Sequence, residues 1–222
     1  MLTPYYQDEY ATIYHGDCCE VLPQLEPVDL VCTDPPYGIG LPKSKKKYGE
    51  RRDLSRQATA DNWDDAIPTQ QCFEQMFKAS RNQIVFGANY FWEYFRSSPC
   101  YIVWDKRGSL PAVPFADTEF AWASFQKMSK KYTVINHGFV SDVQELREHP
   151  TQKPLKLFKA ILTDFAKVGE IILDPFMGSG TTLVAAKQLG LKSIGIELEE
   201  KYCAIAAERL RQRVLWEVAE AA

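Results

Sequence analysis

The chain has 222 residues, of which 45% are hydrophobic and 25% charged, and it carries six cysteines and a net charge of −3. This length accommodates one domain with elaborated loops, and these proportions exclude disordered, collagen-like and coiled-coil chains. No apolar run approaches the roughly 20 residues that span a bilayer, and no two cysteines stand in C-x-x-C spacing. We therefore expect a reduced intracellular protein with no membrane partner.

Short β-branched segments alternate with longer helical patterns along the chain. Two of the predicted strands, VDLVC and EIILD, are apolar on both faces, as strands buried between two layers of helices are. The pattern predicts an α/β fold in which residues 1–222 form a single domain, with a mostly parallel twisted sheet and helices on both faces. The predicted strands are Ala11–Tyr14, Val28–Cys32, Gln83–Phe86, Tyr101–Trp104, Phe120–Ala123, Tyr132–Ile135, Glu170–Leu173 and Lys192–Ile196.

Three helices are predicted in the last third of the chain: one after Pro154, one over Leu183–Leu189 and one near Glu199–Val218. Two segments, 38–68 and 106–148, break the alternation because they are rich in Pro, Gly, Ser and charge. In an α/β domain, such long excursions lie at the carboxyl ends of strands, where ligands bind.

The first chemical motif follows the strand Val28–Cys32 and reads Thr33-Asp34-Pro35-Pro36-Tyr37-Gly38. The two prolines hold the preceding backbone extended, so the Asp34 carboxylate is kept at the end of the strand. Proline also removes backbone donors, which leaves the carboxylate and the carbonyls of Asp34 and Pro35 as acceptors beside an aromatic ring. This combination suits a planar group that bears an NH2 and stacks on Tyr37.

Seven basic residues stand between Lys43 and Arg56 against only Glu50 and Asp53, which gives this short segment a charge of +5. A solvated loop and a phosphate-binding loop are both consistent with such a charge run.

The second motif runs from Asp174 to Thr182 and reads DPFMGSGTT, between a predicted strand and a predicted helix. Backbone N–H groups of such a glycine turn can approach an anionic ligand, and its threonines can cap the helix or contact the ligand. The turn is neither G-x-G-x-x-G nor a P-loop, which argues against a nucleoside triphosphate. Glu197 ends the next strand, where an acid can accept hydrogen bonds from the two hydroxyls of a ribose.

These motifs resemble those of the S-adenosylmethionine-dependent DNA amino-methyltransferases. The DPPY sequence at Asp34 resembles the catalytic motif of that family, the glycine turn after Asp174 resembles its cofactor motif, and the segment His149–Pro154 resembles the stretch that precedes the cofactor motif. The catalytic motif comes first, as in the circularly permuted beta class. The resemblance implies a Rossmann-like class I methyltransferase fold with a permuted order of motifs.

The resemblance also implies roles for individual residues. Asp17 is expected at the adenine amino group of S-adenosylmethionine, and Thr151 and Lys153 at its methionine end. The expected catalytic residues are Asp34, Pro35, Pro36 and Tyr37. The expected cofactor-binding residues are Asp17, Thr151, Lys153, Asp174, Pro175, Phe176, Gly178, Ser179, Gly180, Thr181 and Glu197. The expected DNA-binding residues are Lys43, Lys45, Lys46, Lys47, Arg51 and Arg52, all within the excursion 38–68. We expect both this excursion and the excursion 106–148 to contact DNA.

Further aromatic segments around Tyr90 and Trp104 resemble lesser family motifs near the base pocket, and Trp104 is a candidate for the pocket lining. His15 and His137 have no metal-like spacing to cysteine or carboxylate, so no metal site is predicted.

The expected substrate is double-stranded DNA, from which the target base must be flipped out. Within the resemblance Asp34 favours adenine, whereas Ser at this position favours cytosine and Asn goes with RNA or protein glutamine. Cytosine amino-methylation therefore stays open, as does a non-catalytic DNA-binding protein that keeps the fold. The resemblance also leaves open a homodimer and a cognate restriction nuclease as partners, and it places the protein in the cytoplasm of a bacterial or phage-infected cell.

Overall fold

A nine-stranded sheet forms the centre of the computed structural model, which describes residues 2–40, 64, 67–111, 116–137, 140–141 and 152–220. Within these residues the strands are β1 (Tyr6–Gln7), β2 (Ala11–His15), β3 (Val28–Thr33), β4 (Ser80–Phe86), β5 (Cys100–Asp105), β6 (Thr118–Ala123), β7 (Lys130–Thr133), β8 (Asn136–His137), β9 (Val140–Ser141), β10 (Ile171–Asp174) and β11 (Lys192–Glu197). The helices are α1 (Cys18–Val21), α2 (Gln70–Lys78), α3 (Leu155–Phe165), α4 (Thr181–Gln188) and α5 (Glu200–Glu220).

The strands follow the order β1-β2-β11-β10-β3-β4-β6-β5-β7, and β8 pairs with β9 in a separate hairpin. The five strands from β2 to β4 in this order all run parallel. Antiparallel pairing joins β1 to β2 and places β6 between β4 and β5. The predicted mostly parallel α/β fold is confirmed.

Consecutive residues of a buried strand point to opposite faces of the sheet, and β3 shows this alternation. Leu30 packs in a cluster with the apolar side of α3, including Phe158 and Ile161. Val31 packs in a second cluster with α1 and α2, including Phe73. Helices therefore cover both faces, which explains why VDLVC is apolar throughout.

Several element boundaries differ from the prediction. Tyr132–Ile135 was predicted as a strand, but β7 covers Lys130–Thr133 because it pairs in parallel with Ile102–Asp105 of β5. The short elements β1, α1, β8 and β9 were not predicted, and neither was α2. Thr69 caps α2 by accepting a hydrogen bond from the backbone N–H of Cys72, at 3.3 Å.

The parallel centre brings distant parts of the chain together. β10 lies beside β3, with Leu173 opposite Val31, and β11 lies beside β10, with Gly195 opposite Asp174. The carboxyl ends of β3, β10 and β11 therefore meet at one edge of the sheet. No helix among the described residues combines the length and the apolar character needed to cross a membrane.

Gly180 determines how closely α4 approaches α5. It has φ +79°, and a Cβ built on it would lie 2.7 Å from Cβ of Ala206. Gly190, just after α4, has φ +67°, but a Cβ there would meet no described atom within 4 Å. Both positions favour glycine by their backbone, and only Gly180 also requires it for packing.

We predict that Gly180→Ala lowers the free energy of unfolding by more than Gly190→Ala does. Both variants incur the roughly 1–2 kcal/mol cost of a left-handed non-glycine residue, and Gly180→Ala adds about 1–3 kcal/mol of overpacking. Urea unfolding followed by circular dichroism measures both losses. Equal losses would contradict the packing role of Gly180.

Candidate active site

The two sequence motifs meet across one cavity of about 610 Å³ at the carboxyl ends of β3, β10 and β11. This volume lies within the roughly 300–1,000 Å³ typical of sites for small molecules and cofactors. Predicted catalytic and cofactor-binding residues both contribute to its wall: Asp34, Pro36, Lys153, Asp174, Pro175, Phe176, Gly178, Ser179, Thr181 and Glu197.

Asp174 joins the two motifs. Its carboxylate is buried and accepts hydrogen bonds from the hydroxyls of Thr33 and Thr182, each at 2.6 Å. The backbone N–H of Phe176 donates a third, at 3.1 Å. Burial raises the pKa of Asp174 to about 6, although these donors oppose the rise. The residue predicted to bind the cofactor therefore also ties β3, the glycine turn and α4 together.

Glu197 faces the glycine turn from β11. One carboxylate oxygen accepts a hydrogen bond from the backbone N–H of Gly178 at 3.0 Å, and the other accepts one from Glu199 at 2.8 Å. Burial raises the pKa of Glu197 to about 7. Gly178 has φ +51°, and a Cβ on it would meet no described protein atom within 4 Å. The turn is therefore open where its backbone lines the cavity.

A side chain from α5 holds the same turn. Nη1 of Arg209 donates hydrogen bonds to the Ser179 carbonyl at 2.5 Å, the Ser179 hydroxyl at 3.1 Å and the Thr181 hydroxyl at 3.3 Å. The Ser179 hydroxyl donates to the side-chain carbonyl of Gln152 at 3.1 Å. Arg209 and Gln152 were not predicted as site residues. Arg209 lies in no motif, whereas Gln152 stands between Thr151 and Lys153 in the segment His149–Pro154, which could have indicated it.

The turn that follows Asp34 is held by a residue outside its own sequence. The backbone N–H groups of Tyr37 and Gly38 donate to one carboxylate oxygen of the buried Asp64, at 2.8 and 3.0 Å. Asp64 lies within the excursion that was predicted to contact DNA, and nothing in its local sequence indicates this role.

The Asp34 carboxylate receives two donors. The Tyr37 hydroxyl donates to one oxygen at 2.6 Å, and the Lys153 ammonium forms an ion pair with the other. Lys153 also donates to the Tyr37 hydroxyl at 3.1 Å. Burial raises the pKa of Asp34, and the Lys153 charge opposes that rise. Lys153 was predicted at the cofactor, and its ammonium contacts the Asp34 carboxylate.

Glu119 on β6 is a further acid at the site that was not predicted. One carboxylate oxygen lies 3.3 Å from Nζ of Lys153, and the other lies 3.0 Å from Nζ of Lys106. Burial alone would raise the pKa of Glu119, but the two ammonium groups bring it below its ordinary value. A charged residue inside an apolar strand, as in TEFAWA, is the sequence signal that could have found it.

The Tyr37 ring packs against Tyr90, with ring centroids 4.7 Å apart and planes inclined by 15°. Gly87 makes room for it, since a Cβ there would lie 2.2 Å from the ring. The ring was predicted to stack on a planar ligand, and Tyr90 holds that place on one of its faces. Trp104, a candidate for the pocket lining, is instead buried in the core, where its indole N–H donates to the carbonyl of Val134.

Two further predicted residues, Asp17 and Pro35, are described by the structure but do not themselves line the cavity. Asp17 caps α1 by accepting a hydrogen bond from the backbone N–H of Cys19 at 2.8 Å, and its neighbours Gly16 and Cys18 line the cavity. Pro35 is buried at the turn. Thr151 and the predicted DNA-binding residues Lys43, Lys45, Lys46, Lys47, Arg51 and Arg52 lie outside the described residues.

Three cysteine sulfurs meet beside Asp17. Those of Cys18, Cys19 and Cys72 lie within 4.8 Å of one another, and the Cys18 and Cys72 thiols are 3.4 Å apart. Burial raises the pKa of Cys19 to about 12, and the contact with Cys18 raises that of Cys72. The three cysteines pack α1 against α2, and a metal would have to displace the protons of Cys19 and Cys72.

Comparison with known proteins gives a family and a set of structural relatives. The family model described as DNA methylase matches residues 98–208, which is 111 of 222 residues and so half of the chain. Type II methyltransferase M2.LlaDCHI of Lactococcus lactis subsp. cremoris is 27% identical over 96% of this chain and 93% of its own length. Type II methyltransferase M.HinfI of Haemophilus influenzae is 26% identical over 90% of this chain and 68% of its own.

Two solved structures extend the comparison. The crystal structure of the M1.HpyAVI-SAM complex has a TM-score of 0.58 at 26% identity and covers 90% of this chain and 99% of its own. PvuII DNA methyltransferase, described as cytosine-N4-specific, has a TM-score of 0.62 at 19% identity, covers 93% of this chain and 88% of its own, and supports the fold alone.

We predict that Thr33→Val lowers the free energy of unfolding by about 1–3 kcal/mol, because it leaves one oxygen of the buried Asp174 without its hydroxyl donor. Thr133→Val is the matched control. Its hydroxyl lies on exposed β7, 3.4 Å from the Asp105 carboxylate, and we expect a change within about 0.5 kcal/mol. Urea unfolding measures both. A Thr33 variant as stable as its control would refute the bridging role of Asp174.

Proposed function

Since the chain belongs to the DNA methylase family, we propose that it transfers a methyl group from S-adenosylmethionine to the exocyclic amino nitrogen of adenine in double-stranded DNA. The observation that carries this proposal is that the Asp34 turn and the glycine turn after Asp174 line one cavity. A group bound at the Asp34 turn and a group bound at the glycine turn would then lie next to each other in this cavity.

The cavity fits S-adenosylmethionine in volume and in donor set. Glu197 supplies a carboxylate for the ribose hydroxyls, and the open backbone at Gly178 lets a ligand approach the turn. We assign the remaining cofactor contacts to Asp17 at the adenine, to Thr151 at the methionine end, and to the turn from Asp174 to Thr181. Lys153 was expected at the methionine end as well, and its ammonium pairs with Asp34. The bound cofactor supplies an electrophilic methyl group.

The acceptor groups of the Asp34 turn can activate the exocyclic amino nitrogen of the target base. The lone pair of this nitrogen is delocalised into the ring of the base, so the nitrogen is a weak nucleophile. Hydrogen bonds from the NH2 to the Asp34 carboxylate and the Pro35 carbonyl localise that pair and stabilise the positive charge that develops during attack. The ammonium product is acidic and loses its proton readily, so Asp34 need not be a strong base. Pro36 and Tyr37 complete the turn, with Tyr37 beside the base.

A base within a duplex cannot reach this cavity, so the nucleotide must be flipped out. We propose that the basic segment Lys43–Arg56, which begins five residues after Gly38, holds the flanking phosphates. Asp34 at the head of the catalytic turn favours adenine over cytosine as the flipped base.

We predict N6-methyladenosine after incubation of mixed-sequence duplex DNA with the protein and S-adenosylmethionine, because the Asp34 turn accepts an exocyclic NH2. Mass spectrometry of the digested nucleosides makes the measurement. Methylcytidine instead would overturn adenine as the target while keeping amino-methylation. No methylated nucleoside would overturn the proposed activity.

Asp34→Ala is the control for that experiment. We expect its methyl transfer to fall by at least about 10²–10³-fold, as when one transition-state hydrogen bond is removed, while its affinity for S-adenosylhomocysteine stays near that of the wild type. Undiminished transfer by this variant would remove Asp34 from the catalytic group.

We predict that affinity for S-adenosylhomocysteine rises about tenfold from pH 6 to pH 8. The pKa of Glu197 is raised to about 7, only the ionised carboxylate accepts from both ribose hydroxyls, and each pH unit below the pKa costs a factor of about ten. Calorimetry measures the affinity. Glu197→Gln should bind more weakly at pH 8 and lose this pH dependence; a variant with the wild-type dependence would place the titrating group elsewhere.

A further inference from the structure

Four charged side chains of alternating sign form a continuous chain beside the cavity. Asp34 follows β3, Lys153 precedes α3, Glu119 lies on β6 and Lys106 follows β5. Lys153 contacts Asp34 at one end and lies 3.3 Å from Glu119, which lies 3.0 Å from Lys106. The Asp34 end of this row of charges lies at the cavity. The four residues come from separate parts of the sequence.

These groups are largely withdrawn from water. The side chain of Lys153 is 6% exposed, that of Lys106 16%, that of Asp34 22% and that of Glu119 27%. Nζ of Lys153 lies over the rings of Phe86 and Tyr37, 5.0 and 5.4 Å from their centroids. Burying paired charges seldom stabilises a fold more than apolar residues of similar volume would, so stability alone does not explain this arrangement.

We propose that Lys153 and Glu119 are positioning residues for methyl transfer: Lys153 keeps Asp34 an ionised, oriented acceptor, and Glu119 balances the Lys153 charge. This inference rests on the proposed function, because it concerns the carboxylate that accepts the target NH2.

Each charge in the chain has a separate consequence for that carboxylate. A buried carboxyl without a counter-charge takes up a proton, and a protonated Asp34 would donate to the base rather than accept from it. Lys153 prevents this. A single ammonium would also repel the positive charge that develops on the target nitrogen.

Glu119 offsets that repulsion. Asp34, Lys153, Glu119 and Lys106 together carry no net charge, and Lys106 binds the Glu119 oxygen that does not face Lys153. The Asp34 end of this row of charges faces the cavity, and its orientation is set before the substrate arrives.

The other titratable groups that act on Asp34 and Lys153 leave this balance intact. Tyr37 donates its hydroxyl to Asp34 and keeps its proton, because burial raises its pKa well above the ordinary value. Burial likewise raises the pKa of Cys32. Asp174 interacts with Asp34 at longer range and is held by Thr33 and Thr182.

The test is the pH profile of the single-turnover rate of methyl transfer, measured between pH 6 and pH 9.5 on duplex DNA. Lys153→Met removes the charge at similar volume. We expect the acid limb of its profile to move up by at least one pH unit, with activity partly restored at high pH. A purely structural role would lower the rate equally at all pH values, and that result would overturn the inference.

A second variant keeps the inference testable if Lys153→Met fails to fold. Glu119→Gln is isosteric, and we expect the rate to fall at least tenfold while affinity for S-adenosylhomocysteine changes less than threefold. In the double variant that combines Lys153→Met with Glu119→Gln, the second substitution should not lower the rate further, since no Lys153 ammonium remains to balance. Additive losses would overturn the coupling.

Lys130→Met is the matched control, because it breaks a Lys–Asp pair of the same chemistry with Asp164, 2.8 Å apart and partly exposed on β7. Its profile should match that of the wild type. An inactive wild type would overturn the proposed function and this inference with it. A different result would overturn only the inference: the wild type is active, but Lys153→Met binds S-adenosylhomocysteine tenfold more weakly and its acid limb does not shift. That result would place Lys153 at the cofactor.

Discussion

The buried carboxylate of Asp174 is the interaction on which the rest of the site depends. It accepts hydroxyl hydrogen bonds from Thr33, at the end of β3, and from Thr182, in the first turn of α4. Because a buried carboxylate must find donors, this one residue sets the distance between the Asp34 turn and the glycine turn. The two motifs are 140 residues apart in the chain (174 minus 34) and share one cavity because of this bridge and the pairing of β3 with β10.

Four carboxylates line this cavity, and three of them differ in their main donors. Hydroxyls bind Asp174, backbone N–H groups bind Glu197, and an ammonium binds Asp34 beside the Tyr37 hydroxyl. These donors suit different tasks. Hydroxyls and backbone amides hold a carboxylate without a counter-charge, so burial raises the pKa of Glu197 to about 7 although its N–H donors oppose the rise. The ammonium favours the ionised form of Asp34, the state in which it can accept hydrogen bonds from an amino group.

Local sequence patterns were sufficient to predict the main strands and the positions of both turns. The apolar runs around Leu30 and Ile172 are buried on both faces, so their composition alone indicates a covered parallel sheet. Segments whose structure depends on a neighbour were harder to predict: β7 is displaced by two residues because it pairs with β5. The helix α2 follows a polar excursion, and its cap at Thr69 is a single residue without a motif around it.

By itself, the sequence determined the α/β class, the two turns at strand ends and the acceptor character of the Asp34 turn, because prolines, glycines and apolar periodicity act over a few residues. Only the tertiary structure decided which side chains complete the site. Asp64, Glu119 and Arg209 are ordinary polar residues in the sequence, and they gain their roles from the groups they face across the fold. Lys153 shows the same distinction: its motif suggested the cofactor, whereas its contacts are with Asp34 and Glu119. Hydrogen bonds and ion pairs between distant residues depend on strand order and register, which no local pattern encodes.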